Sequence, residues 1–253
     1  MKRLKISLFL SALALMTLFL TGCASTPQLA APGVTLTIGE TNEPEQVNTG
    51  VQLLVLLTVL SLAPSIIIMA TSFTRIVIVL SLLRNAIGTA TVPPTQVIVG
   101  LALLLTFFVM APTYSKINDQ AIQPYVNGTI DQETAVTNGL EPIREFMFKQ
   151  TREKDLELFV SLNGQNRPKN RDEISMIVLT PAFVISELRT AFIMGFVIFV
   201  PFLVIDMVIS SILLSMGMMM LPPSLISLPF KLLLFVMVDG WYLITQSLVT
   251  SFK

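Results

Sequence analysis

Two carboxylates, Asp206 and Asp239, are the residues of this 253-residue chain that first invite a chemical reading, because each stands alone in an apolar stretch: Ile205-Asp206-Met207 and Val238-Asp239-Gly240-Trp241. Two aspartates sharing one proton can activate water, which is the device of intramembrane aspartyl proteases. The flanking residues match neither the Tyr-Asp nor the Gly-x-Gly-Asp setting that such enzymes use. Lone intramembrane carboxylates also serve as proton relays, and a proton-coupled small-solute transporter using Asp206 and Asp239 is the alternative function carried forward. Against it, the two halves of the chain show no clear internal repeat, a feature of many carriers. The plainest reading is structural: polar contacts between helices, with Lys231, Arg189 or Ser and Thr hydroxyls as partners.

Other chemistry is scarce. The chain has no histidine, which removes the usual general base near neutral pH and the commonest metal ligand. Neither a cofactor nor a metal is expected, and the chain reads as a non-enzyme. Sixteen basic residues balance sixteen acidic ones, so no global field attracts nucleic acid. With 53% hydrophobic and 13% charged residues, the natural solvent is a lipid bilayer.

The elements that must position these residues follow from the hydropathy pattern. Lys2, Arg3 and Lys5, an apolar run from Ile6 to Leu20 and small residues after it make 1–23 a signal peptide. Leu20-Thr21-Gly22-Cys23 also has the form of a lipobox, with Cys23 a possible lipidation site; ordinary cleavage beside Gly22 and Ala24 is the competing reading. Residues 24–50 read as an exported linker. A first hydrophobic helical pair occupies 51–112, bent by Pro64 and broken at Pro93-Pro94, its second member the short run Val97 to Ala111. Arg75 and Arg84, with no acid nearby, place the loop from Arg84 to Thr95 in the cytoplasm. That orientation puts the mixed-charge insert, 113–176, on the periplasmic side. Within the insert, Gly139-Leu140-Glu141-Pro142 and Asn163-Gly164 signal turns, and Glu141 to Leu158 reads as an amphipathic helix. Phe146, Phe148 and Phe159 are either the insert's small core or subunit contacts.

A second hydrophobic pair fills 177–253: Ile185 to Met220, then Leu225 to Leu248, separated by Pro222-Pro223. It carries Glu187, Arg189, Asp206, Lys231 and Asp239, each costing about 2.5 to 3.5 kcal/mol at membrane depth unless it faces protein or water. The expected fold is therefore an all-α membrane protein of kinked helical hairpins, about four hydrophobic segments with a small exported helical insert. Such charges also argue for an oligomer, in which Glu187, Arg189 and Asp206 meet neighbouring subunits. Met216-Gly217-Met218-Met219-Met220 is the least ordinary run. Flexible, polarizable methionines either fill irregular packing at a hairpin tip or, repeated around a ring of subunits, form a compliant seal.

The segments Pro181-Ala182-Phe183-Val184-Ile185-Ser186-Glu187-Leu188-Arg189-Thr190-Ala191-Phe192-Ile193-Met194-Gly195-Phe196 and Pro201-Phe202-Leu203-Val204-Ile205-Asp206-Met207-Val208 closely resemble the two signature segments of the flagellar biosynthetic protein FliP family, which is shared with type III secretion. The runs Thr74 to Ala86 and Gly217 to Pro223 are similar too, so the resemblance covers the chain from about Val51 onward. Ile193 departs from it, standing where the family usually has a polar or charged residue. The resemblance implies a core channel subunit of the flagellar protein-export gate in the bacterial inner membrane and flagellar basal body. It implies a pentamer with FliQ and FliR, beside FlhA and FlhB, passing unfolded flagellar proteins. Met218, Met219 and Met220 would then form the methionine gasket of the idle channel, and the remaining contacts of the subunit would be with membrane lipids.

Overall fold

A computed structural model describes residues 30–31, 34–35, 44–89, 91–164, 170–218 and 220–252. The signal segment with Cys23, most of the linker, and Met219 lie outside the described residues. Contacts divide the chain into two units, 1–60 and 61–253. In the first, β1 (Ala30–Ala31) pairs antiparallel with β2 (Val34–Thr35), and α1 (Pro44–Met69) begins. All else described is helix and connecting turns.

The long apolar run from Val51 breaks at residues 70–72 rather than at Pro64, through which the α1 assignment continues. The short hydroxyl side chain of Thr71 favours the break by competing for backbone groups. Thr71 Oγ1 donates to the Ile68 carbonyl at 2.9 Å and accepts from the Phe73 N–H at 3.4 Å. Next, α2 (Phe73–Ile87) ends at Gly88, whose φ of 88° gives the left-handed cap that glycine adopts freely. Pro93-Pro94 then stops the chain, and α3 (Thr95–Ile117) starts directly after it. This helix outruns the short apolar stretch expected: with a π-helical turn, Asn118–Ile122, and α4 (Gln123–Val126) it forms one 32-residue rod. None of the polar residues between Ala111 and Val126 ends the helix.

In the insert, α5 (Gln132–Gln150) is capped by Asp131, whose Oδ1 accepts from the Thr134 N–H at 3.1 Å. The turn expected at Gly139–Pro142 does not form; Gly139 lies against Ala121 and Pro142 is buried within the helix. The expected helix from Glu141 to Leu158 is instead split at Thr151-Arg152 between α5 and α6 (Glu153–Leu162), and Gly164, φ 64°, turns the chain after it.

The second hydrophobic pair begins earlier than expected. Helix α7 (Met176–Ser215) has 40 residues and passes through Pro181 and Pro201; at 1.5 Å per residue it is about 60 Å long, twice a hydrocarbon core. Pro222-Pro223 starts α8 (Pro223–Met237), and α9 (Gly240–Thr250) leaves it at 64°, so Leu225 to Leu248 is a bent pair and not one helix. The bend follows from packing. The Phe235 ring sits where a Cβ on Gly240 would be, 2.2 Å from its Cε2, and meets Trp241 edge-on with centroids 5.5 Å apart.

One core is centred on α2, whose Ile76, Val79, Leu80, Leu83 and Ile87 are buried against α3, α7, α8 and α9. A second joins the insert to the start of α7 through Met147, Leu179 and Phe183. Outward faces stay apolar: Phe107 and Phe108 on α3, Phe196 and Val197 on α7, and Val236 and Met237 on α8 are all exposed. Helices apolar all round require lipid or other protein about them.

Candidate functional site

Charge placed among apolar helices is tolerable only when its hydrogen-bonding capacity is met. Arg75 meets this condition completely. It is 2% exposed, and its partner Glu187 is 0% exposed. Nε donates to Glu187 Oε2 at 2.8 Å, and one Nη2 hydrogen goes to Glu187 Oε1. The other Nη2 hydrogen reaches Gln150 Oε1 at 2.9 Å. Nη1 donates to the Ser251 carbonyl and hydroxyl, both at 2.9 Å. All five guanidinium donors are thus used, and the cation also lies 3.8 Å from the Phe252 ring centroid. One side chain therefore ties together α2, α5, α7 and the residues after α9. Sequence reasoning took Arg75 only as a topology marker and expected Glu187 to meet a neighbouring subunit. The available signal was their opposite sign, each being isolated in an apolar run.

Asp206 and Lys231 form a second station. Lys231 Nζ lies 2.6 Å from Asp206 Oδ2, and Ser227 Oγ donates to Oδ1 at 2.6 Å. The ammonium also reaches the Ala86 carbonyl at 3.4 Å, on the last turn of α2, where a cation suits the helix dipole. Lys231 is 5% exposed, while the Asp206 side chain keeps 41%. Asp206→Asn should keep the Ser227 contact yet leave the buried ammonium without its counter-charge, lowering stability in detergent by about 1–3 kcal/mol. Adding Lys231→Met should recover part of that loss; a double variant less stable than the single one would refute the pairing.

Asp239 is held apart from Asp206. It is exposed at the α8–α9 elbow with φ 51° and ψ 54°, a left-handed conformation that Asp adopts more readily than most residues. Arg189 is exposed on α7. Neither makes a hydrogen bond or ion pair among the described residues.

In the insert, Phe146 meets Phe183 of α7 edge-on at 6.0 Å and stacks on Phe252 at 6.3 Å, Phe148 lies under Arg144 at 5.0 Å, and Phe159 joins the same core. Ser186, fully buried, donates to Asp155 Oδ2 at 2.6 Å and accepts from the Arg152 N–H, fixing α6 to α7. Hydrogen bonds from Lys116 and Lys149 hold the Glu145 carboxyl well below the usual range, at about 2. These three groups are about half exposed, so water screens the cluster and its contribution stays within about 1 kcal/mol.

The chain between α7 and α8 carries the methionines. Gly217 turns it with φ 72°, and Met218 and Met220 are 39% and 97% exposed. At that exposure the Met220 side chain packs against almost nothing in its own chain.

Among the described residues, two helices long and apolar enough to cross a bilayer, three with the bent pair, together with outward apolar faces, define a helical membrane protein. The chain belongs to the FliP family, whose model matches residues 56–248. It is similar to the flagellar biosynthetic protein FliP of Bacillus subtilis (strain 168), 56% identical over 217 residues that cover 86% of this chain and 98% of that protein. The protein of the same description from Pectobacterium carotovorum subsp. carotovorum is 56% identical, covering 80% of this chain and 78% of that one. For Aquifex aeolicus (strain VF5) the figures are 49%, 88% and 92%.

Proposed function

We propose that this chain is a core channel subunit of the flagellar type III protein-export gate, passing unfolded flagellar proteins across the bacterial inner membrane without catalysis of its own. It assembles as a homo-oligomer, a pentamer, with FliQ and FliR and beside FlhA and FlhB, its insert on the periplasmic side of the flagellar basal body. The observation that carries this reading is the bare methionine loop between α7 and α8, with Met220 97% exposed. Repeated around an axis, such side chains close a hole and still deform around varied passing polypeptides. Family membership supports it, as do the apolar outer faces, which other subunits can cover.

The proton-coupled transporter reading is weaker. Asp206 has both oxygens engaged by Lys231 and Ser227, and Asp239 stands on a separate elbow. A carboxylate held against a buried ammonium is a poor relay.

Replacing Met218, Met219 and Met220 together by alanine should leave the assembly's mass unchanged and admit small ions, read as conductance in planar bilayers. Wild-type conductance with an intact assembly would refute the gasket; a stable monomer in mild detergent would refute the channel subunit itself.

A further inference from the structure

The methionine sulfurs have three kinds of surroundings. Met110 and Met147 are buried, at 1% and 0% exposure. Met69, Met207 and Met237 are exposed on apolar helix surfaces, which lipid or other subunits can cover. Met216, Met218 and Met220 instead lie on the connection between α7 and α8, with 67%, 39% and 97% exposure. That connection is anchored at both ends. The Gly217 and Met218 N–H groups donate to the Leu214 and Leu213 carbonyls, each at 3.0 Å, closing α7 with a Schellman cap. At the far end Pro222-Pro223 starts α8. With the backbone held at both stops, the Met220 thioether stays in the open.

We infer that Met216, Met218 and Met220 form an oxidation site, converted to methionine sulfoxide by hydrogen peroxide, and that this modification opens the seal to ions. The inference rests on the gasket reading proposed above. In the reaction a sulfur lone pair attacks one peroxide oxygen. The S–O bond forms as the O–O bond breaks, and the departing hydroxide takes the proton of the transferred oxygen and leaves as water. Sulfur loses two electrons and the peroxide gains them. Susceptibility to oxidation follows exposure, and assembly sharpens the contrast within the chain. Neighbouring subunits cover the outer helix faces, whereas side chains that close a passage face its lumen, where so small an oxidant can still reach them. An apolar constriction holds back ions by dewetting. Sulfoxide formation turns a flexible apolar side chain into a polar one, whose oxygen accepts hydrogen bonds from water, so the oxidised loop holds water that the thioethers exclude. Sulfur, and not apolar bulk, makes the loop responsive, and enzymatic reduction of the sulfoxide reverses the change.

The test treats the full-length protein, purified as its assembly in mild detergent, with hydrogen peroxide and follows two readouts. Peptide mass spectrometry counts the oxygen gained at each methionine with time. The loop methionines should be oxidised about tenfold faster than Met110 and Met147, and faster than Met207 and Met237 on the covered faces. Conductance in planar bilayers should rise over the same interval. A variant with Met216→Leu, Met218→Leu, Met219→Leu and Met220→Leu keeps apolar side chains without sulfur, and peroxide should leave its conductance at that variant's own starting level. A Met220 oxidised no faster than Met110 and Met147 would overturn the site. A loop fully oxidised with no rise in conductance, or an equal rise in the leucine variant, would overturn the link between oxidation and opening. The gasket itself is judged on the alanine variant before any peroxide is added, so the two readings fail separately.

Discussion

Replacing Arg75 by alanine should destabilise the protein by about 3–5 kcal/mol, the usual consequence of removing one partner from a buried ion pair. Glu187, fully buried, would lose both of its charge-assisted contacts, and Gln150 and Ser251 would each lose a donor. Glu187→Ala should cost a similar amount, for it strands a guanidinium that is 2% exposed. Arg75→Met with Glu187→Leu should recover much of either loss, because two apolar residues need no partners. The measurement is denaturant unfolding in detergent micelles, run as a double-mutant cycle. If Arg75→Ala shifts the transition by less than 1 kcal/mol, the pair is a surface contact in solution and the four-way tie described above is wrong.

Gly195→Leu should open the α2–α7 contact. A Cβ at Gly195 would lie 2.2 Å from Leu82 Cδ1 and 3.2 Å from Leu82 Cβ, so even alanine must displace that side chain, and a larger residue must part the helices. Overpacking of this kind costs about 1–3 kcal/mol for small insertions, and the longer side chain should exceed that range. The contact is local to one pair, so Leu82→Ala should suppress Gly195→Ala and leave the double variant more stable than Gly195→Ala alone. Additive losses would mean that the two side-chain positions do not compete for the same space.

Much of the helical layout was legible in the sequence, and particular residues explain where it was not. Pro93-Pro94 and Pro222-Pro223 punctuate the chain as expected, because a proline pair denies the helix its donors in any surroundings. The elbow at 70–72 depends on where the Thr71 hydroxyl directs its hydrogen bonds. The elbow at Asp239 depends on Phe235 folding over Gly240, a tertiary event with no signal in hydropathy. Mixed charge marked the insert, yet polarity could not tell where α3 ends, since Thr, Ser and Lys continue a helix as readily as they leave one. At the candidate site, Lys231 stood among the possible partners of Asp206 because α7 and α8 are adjacent members of one hairpin. Arg75 and Glu187 are 112 residues apart, and no periodicity links them. The methionine loop was conspicuous by composition, but the sealing role proposed for it rests on family likeness and copy number, neither of which one chain's packing contains.

The four-way tie at Arg75 also sets an order of events during synthesis. Its partners lie 75, 112 and 176 residues further along the chain, at Gln150, Glu187 and Ser251. When α2 emerges from the ribosome, its guanidinium has none of them. A nascent fragment ending before Gln150 carries a bare cation, one ending before Ser251 still has two idle donors, and α2 cannot settle into apolar surroundings without penalty until the α9 end has arrived. The first hydrophobic pair is thus completed only by the last residues of the second, which makes burial of Arg75 a report that the whole helical set is in place.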